Sequence, residues 1–174
     1  MTRFDASNAT VEVLTFKEGF LSPIAHDLRI RVATLDVEID SDRIVAEIDL
    51  SSLYVVCAVK EGSDEPGTLS ESDKAKIRKT IRDDVLHASR YPIARFEADL
   101  ADLDGETLQG ELELHGESRM VTARLHQTGP DLNVEVNVHQ PDFGIKPYSA
   151  MMGTLKVRAD VVIHVTMRDF QLPA

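Results

Sequence analysis

The sequence contains no tryptophan and only one cysteine, and aromatic residues make up 5% of its 174 residues. The single cysteine, Cys57, excludes an internal disulfide, and its alternation with Leu53 and Val55 predicts a small buried hydrophobic residue. The longest apolar run, residues 53–59, is far too short to span a bilayer, and the first residues lack the apolar run of a signal peptide. We therefore expect a soluble, cytoplasmic chain.

The sequence also has few basic residues relative to acidic ones. The chain has 19 Lys and Arg residues against 30 Asp and Glu residues, which gives a formal net charge of -11. A surface with this excess of negative charge repels a phosphate backbone, so we expect no nucleic-acid partner.

Local motifs for metal binding and catalysis are missing as well. The six histidines lie in separate segments without the paired spacing of a metal site, so we expect neither a metal nor a cofactor. The segment 116–120 begins like the nucleophile elbow of a serine hydrolase, but it lacks the closing glycine and lies in a predicted hairpin. We therefore expect no enzymatic activity.

What the sequence does contain is regular alternation, and residues 108–127 show it most clearly. Leu108, Leu112 and Leu114 alternate with polar residues, and the alternation resumes beyond Gly116. This period of two is typical of strands with one buried face and one solvated face, and Gly116 suits the reversal between them. The pattern predicts an antiparallel hairpin.

The same alternation recurs along most of the chain, in residues 10–16, 28–39, 44–50, 53–59, 96–100, 132–138 and 155–165. The last of these predicts one long strand. Between residues 28 and 39 the apolar positions change from even to odd around Ala33 and Thr34. One extra residue, a β-bulge, explains such a change by bending a long strand, as in a closing barrel.

One segment has the pattern of a helix, at about residues 72–86. Ser70 or Ser72 suits its N-terminal cap, and Ile77, Ile81 and Val85 form an apolar stripe at four-residue spacing. Its other faces carry Lys and Arg residues, which favour either a transient contact with a membrane surface or a solvated face.

The segment Pro141 to Gly153 is rich in proline and glycine, yet it contains Phe143, Tyr148, Met151 and Met152. Its prolines argue against a regular helix or strand. A loop this apolar is expected to cover either one end of the core or the mouth of a cavity.

Together these patterns predict a single mainly β domain over residues 1–174. Sequential antiparallel strands with one helix favour an up-and-down barrel of about eight strands, with a two-sheet sandwich as the alternative. A barrel of this size is either filled by side chains or wide enough for one small ligand. Because the buried face is mostly Val, Leu, Ile and Ala, a hollow apolar interior is expected.

Three ordered motifs in the chain resemble those of the YceI-like family. They are residues 86–96 (LHASRYPIARF), 110–116 (GELELHG) and 142–147 (DFGIKP), and residues 25–28 and 155–157 are also similar. The resemblance covers nearly the whole chain and implies a lipocalin-like antiparallel barrel that holds a polyisoprenoid or similar amphiphilic chain. This sequence has Gln140 where many members of the family have arginine.

The leading hypothesis is therefore a non-enzymatic protein that carries or sequesters a polyisoprenoid, prenylquinone or other lipid inside the barrel. Burial of apolar surface would drive binding. The expected wall consists of Leu28, Ile30, Val32, Phe96, Leu112, Leu114, Val136 and Ile163. The expected mouth consists of Phe143, Tyr148, Met151 and Met152.

Alternatives remain open at this point. One is a barrel with a filled core that acts as a structural or stress-response interaction module without a lipid. Another is an enzyme that uses His26 or His115 on a hydrophobic substrate. A homodimer is a further partner that we consider.

Overall fold

A computed structural model describes residues 1–18 and 26–172, and these residues form mostly antiparallel β-structure. Ala25, the first residue of one of the motifs above, lies outside the described residues. The strands within the described part are β1 (Thr2–Asp5), β2 (Ala9–Thr15), β3 (Lys17–Glu18), β4 (Asp27–Val32), β5 (Leu35–Ile39), β6 (Arg43–Asp49), β7 (Leu53–Lys60), β8 (Ser63–Glu65), β9 (Ile93–Asp99), β10 (Leu103–Asp104), β11 (Thr107–Leu114), β12 (Glu117–Thr128), β13 (Asp131–His139), β14 (Ser149–Ala150), β15 (Leu155–Val157) and β16 (Asp160–Met167).

The predicted central hairpin is confirmed as β11 and β12. Leu108 pairs with Ala123 at one end of the ladder and Leu114 with Glu117 at the other. The two residues of the reversal, His115 and Gly116, have φ angles of 56° and 80°. These lie in the left-handed region that a tight hairpin turn requires. The buried face of β11 is the predicted one, and it points to the interior.

The predicted bend in the long strand is also confirmed. β4 and β5 meet at Ala33 and Thr34, and β6 and β7 meet directly opposite in a short 3-10 turn. Across the bend the amide of Ala33 donates to the carbonyl of Ser52 (3.3 Å), and the amide of Asp49 donates to the carbonyl of Thr34 (3.1 Å). The extra residue of the predicted β-bulge does not lie at this bend. It is Val56 of β7, which has no partner on β4 because the register shifts between Arg29 and Ile30. Residues 27–60 therefore form one long bent hairpin.

This bent hairpin explains how the main sheet wraps around. Its ladders form an open path from β1 to β8, in the order β1-β5-β6-β9-β11-β12-β13-β16-β2-β4-β7-β8, with β10 beside β11. However, β4 and β5 are two halves of one bent strand, and β6 and β7 are two halves of its partner. The path begins beside β5 and β6 and ends beside β4 and β7, so both of its ends lie on the same bent hairpin. Counted in this way the wall has eight segments in up-and-down order: β2, β4 with β5, β6 with β7, β9, β11, β12, β13 and β16. The arrangement is barrel-like and is not a sandwich of two facing layers.

One strand prediction needs correction. Residues 155–165 do not form a single strand, because Arg158 and Ala159 belong to no strand and separate β15 from β16. β15 pairs with β14 and β3 in a small separate sheet, and the amide of Arg158 donates to the carbonyl of Phe16 (2.8 Å). The alternation continues across the break, so Leu155, Val157, Val161 and Ile163 all still face the interior. The apolar alternation of residues 155–165 is continuous, so the sequence pattern does not show that β15 and β16 belong to different sheets.

The predicted helix is confirmed as α1 (Glu71–Thr80), which continues into a π-helical turn (Ile81–Val85). Ser70 caps it, since its hydroxyl accepts from the amide of Asp73 (3.1 Å) while the Asp73 carboxylate accepts from the amide of Ser70 (3.0 Å). The Asp73 carboxylate also accepts from the hydroxyl of Ser70 (2.7 Å), and this bond, followed by the one from the Ser70 amide, lowers the pKa of Asp73. Among the described residues, no helix combines the length and the apolar character that a membrane crossing needs.

The two ends of the barrel differ. At one end Ala9, Leu132 and Met167 align across β2, β13 and β16 and are buried. Phe4 packs edge-on against Phe170 nearby, with ring centroids 5.1 Å apart. We call this the closed end. The other end is covered by α1, which contacts β7, and we call it the helix end.

Candidate functional site

The interior of the barrel is hollow. It contains a cavity of about 500 Å³, which extends from Leu132 and Met167 at the closed end to Ile77 and Ile81 on the helix. This volume is within the range of small-molecule binding sites, about 300–1,000 Å³. Among the residues that the structure describes, the lining is apolar except for five: Thr15, Lys76, Thr80, Gln140 and Tyr148.

The structure brings together nine of the residues that the sequence predicts for the site. All eight predicted wall residues line the cavity, and so does Tyr148: they are Leu28, Ile30, Val32, Phe96, Leu112, Leu114, Val136, Ile163 and Tyr148. They come from five of the strands (β4, β9, β11, β13 and β16) and from one loop, so the buried parity of each of these strands is the parity that faces the cavity.

The other three predicted residues lie elsewhere. Phe143 is only 1% exposed, but it packs into the core outside the cavity lining. Met151 and Met152 are 61% and 101% exposed and do not line the cavity. Their φ angles of 52° and 55° place them in a tight turn between β14 and β15. Of the segment expected to form the mouth, Ile145 and Tyr148 line the cavity, whereas these three residues lie outside its lining. Their part in ligand binding stays a prediction.

The helix forms much of the cover at the helix end, which the sequence analysis did not assign. Its apolar stripe, Ile77, Ile81 and Val85, faces the cavity together with Leu86. None of the helical residues is fully buried, since this face packs against a space and not against a filled core. The four-residue spacing of these apolar residues could have indicated this role, because the apolar stripe of a helix packs against the interior of the protein.

Two histidines fasten the end of the helix segment to the barrel. Nδ1 of His87 lies 3.1 Å from Nε2 of His115, and Nδ1 of His115 lies 3.2 Å from the carbonyl oxygen of Phe143. A carbonyl only accepts, so Nδ1 of His115 donates to it, and Nε2 of His115 then accepts from His87. The ring of Tyr91 packs against that of His115 at an angle of 48°, with centroids 4.5 Å apart. Both ring nitrogens of His115 are therefore engaged in holding the hairpin, the helix segment and the loop together.

A close contact shapes one side of the cavity. The ring of Phe96, on β9, lies over Gly110 of β11, where a Cβ atom would be 2.3 Å from Cζ of that ring and 2.8 Å from the carbonyl oxygen of Glu97. Only glycine leaves room for the ring in this position. Gly110 therefore fixes how far Phe96 extends into the cavity.

Gln140 is the buried polar residue of the cavity wall, and it is 7% exposed. Its side-chain amide donates to the carbonyl of Arg158 (3.0 Å). Its backbone amide donates to the carbonyl of Ala159 (2.8 Å). Gln140 thus holds the chain where β15 separates from β16. An uncharged amide satisfies this site without placing a charge beside the apolar lining.

Reactive groups and metal ligands are not concentrated here. Cys57 is buried outside the cavity lining, and burial, as the largest effect, raises the pKa of its thiol. Among the described residues there is no cluster of three or more His, Cys, Asp or Glu side chains able to hold a metal ion.

Solved structures with a similar fold support the barrel-like architecture. A polyisoprenoid binding domain from Saccharophagus degradans, implicated in plant cell wall breakdown, is 14% identical, with a TM-score of 0.61 and 97% of each chain covered. BcnA of Burkholderia cenocepacia is 16% identical, with a TM-score of 0.57 and 91% of this chain and 94% of that chain covered. The YCEI protein of Campylobacter jejuni is 15% identical, with a TM-score of 0.52 and 90% and 92% covered.

At these identities the similarity shows the fold alone. No curated protein sequence matches the chain. The sequence profile of the YceI-like domain, however, matches residues 3–168, which is nearly the entire length. The chain belongs to the YceI-like family.

Proposed function

We propose that the protein binds one long apolar chain, of the polyisoprenoid, prenylquinone or other lipid class, inside the barrel and carries or sequesters it without chemical change. The observation that carries this proposal is the hollow, almost wholly apolar interior of about 500 Å³. The description of the Saccharophagus degradans structure as a polyisoprenoid binding domain supports the same ligand class.

Physical chemistry favours an occupant for such a space. Side chains around an empty cavity lose contacts, and the cost grows by about 24 cal/mol per Å³ where a core residue has been truncated. A long apolar ligand would restore those contacts and would remove its own surface from water, at about 0.8 kcal/mol for each buried methylene. The filled-core alternative has no comparable support, because side chains do not fill the centre of this barrel.

The enzymatic alternative is also weaker than binding. His115 uses both ring nitrogens in contacts with His87 and Phe143, so neither is available to a substrate. His26 and His115 do not line the cavity. Membrane contact and a homodimer stay predictions.

The proposal predicts a characteristic dependence of affinity on ligand length. In a series of linear prenyl alcohols, each longer by one isoprene unit, affinity is expected to rise steeply at first, because each added methylene buried contributes about 0.8 kcal/mol, or roughly fourfold in Kd. The rise is expected to stop once the chain fills the cavity. Isothermal titration or displacement of a fluorescent fatty probe measures this series.

The thermal midpoint provides a second measurement on the same samples, because a ligand that binds only the folded state raises it by an amount that grows with the logarithm of its affinity. Absence of binding by every member of the series would contradict the proposal. So would a rise that continues without a plateau, since this indicates partitioning onto a surface and not entry into a cavity of fixed depth.

A further inference from the structure

Lys76 is the one charged residue among the described residues that line the cavity. It lies on α1 beside Ile77, and its side chain is exposed. A lysine in this position lays its aliphatic stem along the apolar rim while its ammonium group remains in water. Lys76 therefore marks a place where the apolar interior meets solvent.

The ammonium group of Lys76 has no carboxylate within 4.0 Å among residues 1–18 and 26–172. Other lysines of the helix do have such partners: Lys74 pairs with Glu71 (3.0 Å) and Lys79 with Asp83 (3.2 Å). The carboxylate of Asp73, one turn before Lys76, is bonded to the hydroxyl and the amide of Ser70. Lys76 is thus available to an external anion.

Thr80 lies one helical turn beyond Lys76 and lines the same cavity. Residues four apart are neighbours on a helix surface, so the ammonium group of Lys76 and the hydroxyl of Thr80 are within reach of one anion at the rim. A cation and a hydroxyl donor together match the oxygens of a phosphate ester better than they match a neutral carbonyl or alcohol.

A second groove lies on another face of the helix and does not include Lys76 or Thr80. This groove of about 380 Å³ between α1 and β7 has a mixed lining, which consists of Tyr54, Val55, Glu71, Lys74, Ala75, Arg78, Lys79 and Arg82. Arg78 has no carboxylate within 4.0 Å in the described part of the chain, and its Nε atom is buried without a hydrogen-bond partner. The other three basic residues of the groove pair with Glu71 or Asp83, so most of the positive charge on this face is already neutralised.

We propose that the polar end of the ligand is anionic, a phosphate or diphosphate ester in class, and that Lys76 binds it with Thr80 at the rim of the cavity. This inference rests on the proposed function and specifies the chemistry of the headgroup. The apolar chain lies in the barrel, and the charged end stays at the edge of the helix, where it does not have to be desolvated fully.

The test compares two probes of equal chain length, geranylgeranyl monophosphate and geranylgeraniol, on the unmodified protein and on Lys76→Gln. The unmodified protein is expected to bind the phosphate about tenfold more tightly, the usual size of a hydrogen-bonded contact with a charged group. Lys76→Gln is expected to abolish this difference by weakening the binding of the phosphate about tenfold. Inorganic phosphate alone is expected not to displace the alcohol, because the chain supplies most of the binding.

Lys79→Gln is the matched control, since it removes the same charge from the same helix but from a side chain that does not line the cavity. It is expected to leave the preference for the phosphate within about twofold. Equal affinity of the unmodified protein for both probes would overturn the inference and leave the proposed function intact. Failure of both probes to bind would instead count against the proposed function itself.

Discussion

Replacing Ala46 by tryptophan is expected to weaken the binding of a long prenyl ligand by roughly fiftyfold or more. Ala46 lies on β6 opposite Phe96 and lines the cavity. A large indole in this place occupies space that the ligand needs. If it displaces only three methylenes, the loss is about 2.4 kcal/mol at 0.8 kcal/mol each. Stability is expected to stay the same or rise, because the indole fills empty space.

The neighbouring residue provides the control. Val45 points to the opposite face of β6, where its ladder partners are Glu38 and Glu97. Val45→Trp is therefore expected to leave binding unchanged. Since the chain has no tryptophan of its own, each variant also contains one fluorescent reporter. Its emission should be blue-shifted in Ala46→Trp and close to that of water-exposed indole in Val45→Trp. Equal ligand affinity of the two variants, with both folded, would show that ligand does not enter the cavity.

Gly110→Ala is expected to have the largest effect on folding, a loss of about 2–3 kcal/mol in the free energy of unfolding. The added methyl group would lie 2.3 and 2.4 Å from two atoms of the Phe96 ring and 2.8 Å from a backbone carbonyl oxygen. The ring has to move into the cavity, and the backbone of β9 has to shift as well. Chemical denaturation monitored by circular dichroism measures the change.

Two further variants test whether this loss of stability comes from the clash between the added methyl group and the Phe96 ring. Gly67→Ala is the control, because a Cβ atom there meets nothing within 4 Å; no loss of stability is expected. Combining Gly110→Ala with Phe96→Leu removes the clash with the ring, so the double variant should lose less than the sum of the single changes. Strict additivity would contradict the proposed contact between Gly110 and Phe96.

Much of this architecture was predictable because a strand exposes its pattern directly. The alternation around Leu112, the reversal at Gly116 and the parity change near Ala33 each follow from a side-chain period of two. The same period identified which residues face inward, and eight wall residues do line one cavity. The helix was predictable from the stripe at Ile77 and the cap at Ser70.

What the sequence could not reveal depends on irregular backbone. The apolar period of residues 155–165 continues across a change of sheet, because inward-facing residues look the same in both sheets. Met151 and Met152 were expected at the mouth because they are apolar, but their left-handed turn directs them to solvent. Nothing in the local pattern indicates that turn. The role of the helix as a cover, and Lys76 at its rim, depend on which face meets the barrel, and that is fixed only by tertiary packing.

The central claim is that the barrel encloses a space which one apolar chain occupies. Native mass spectrometry of the purified protein, before and after incubation with a long prenyl alcohol, tests it most directly. The predicted result is a discrete mass increase that corresponds to one ligand per chain and is missing from Ala46→Trp. A spectrum in which the unmodified protein never gains that mass, or gains it in indefinite multiples that Ala46→Trp shows equally, would contradict the claim.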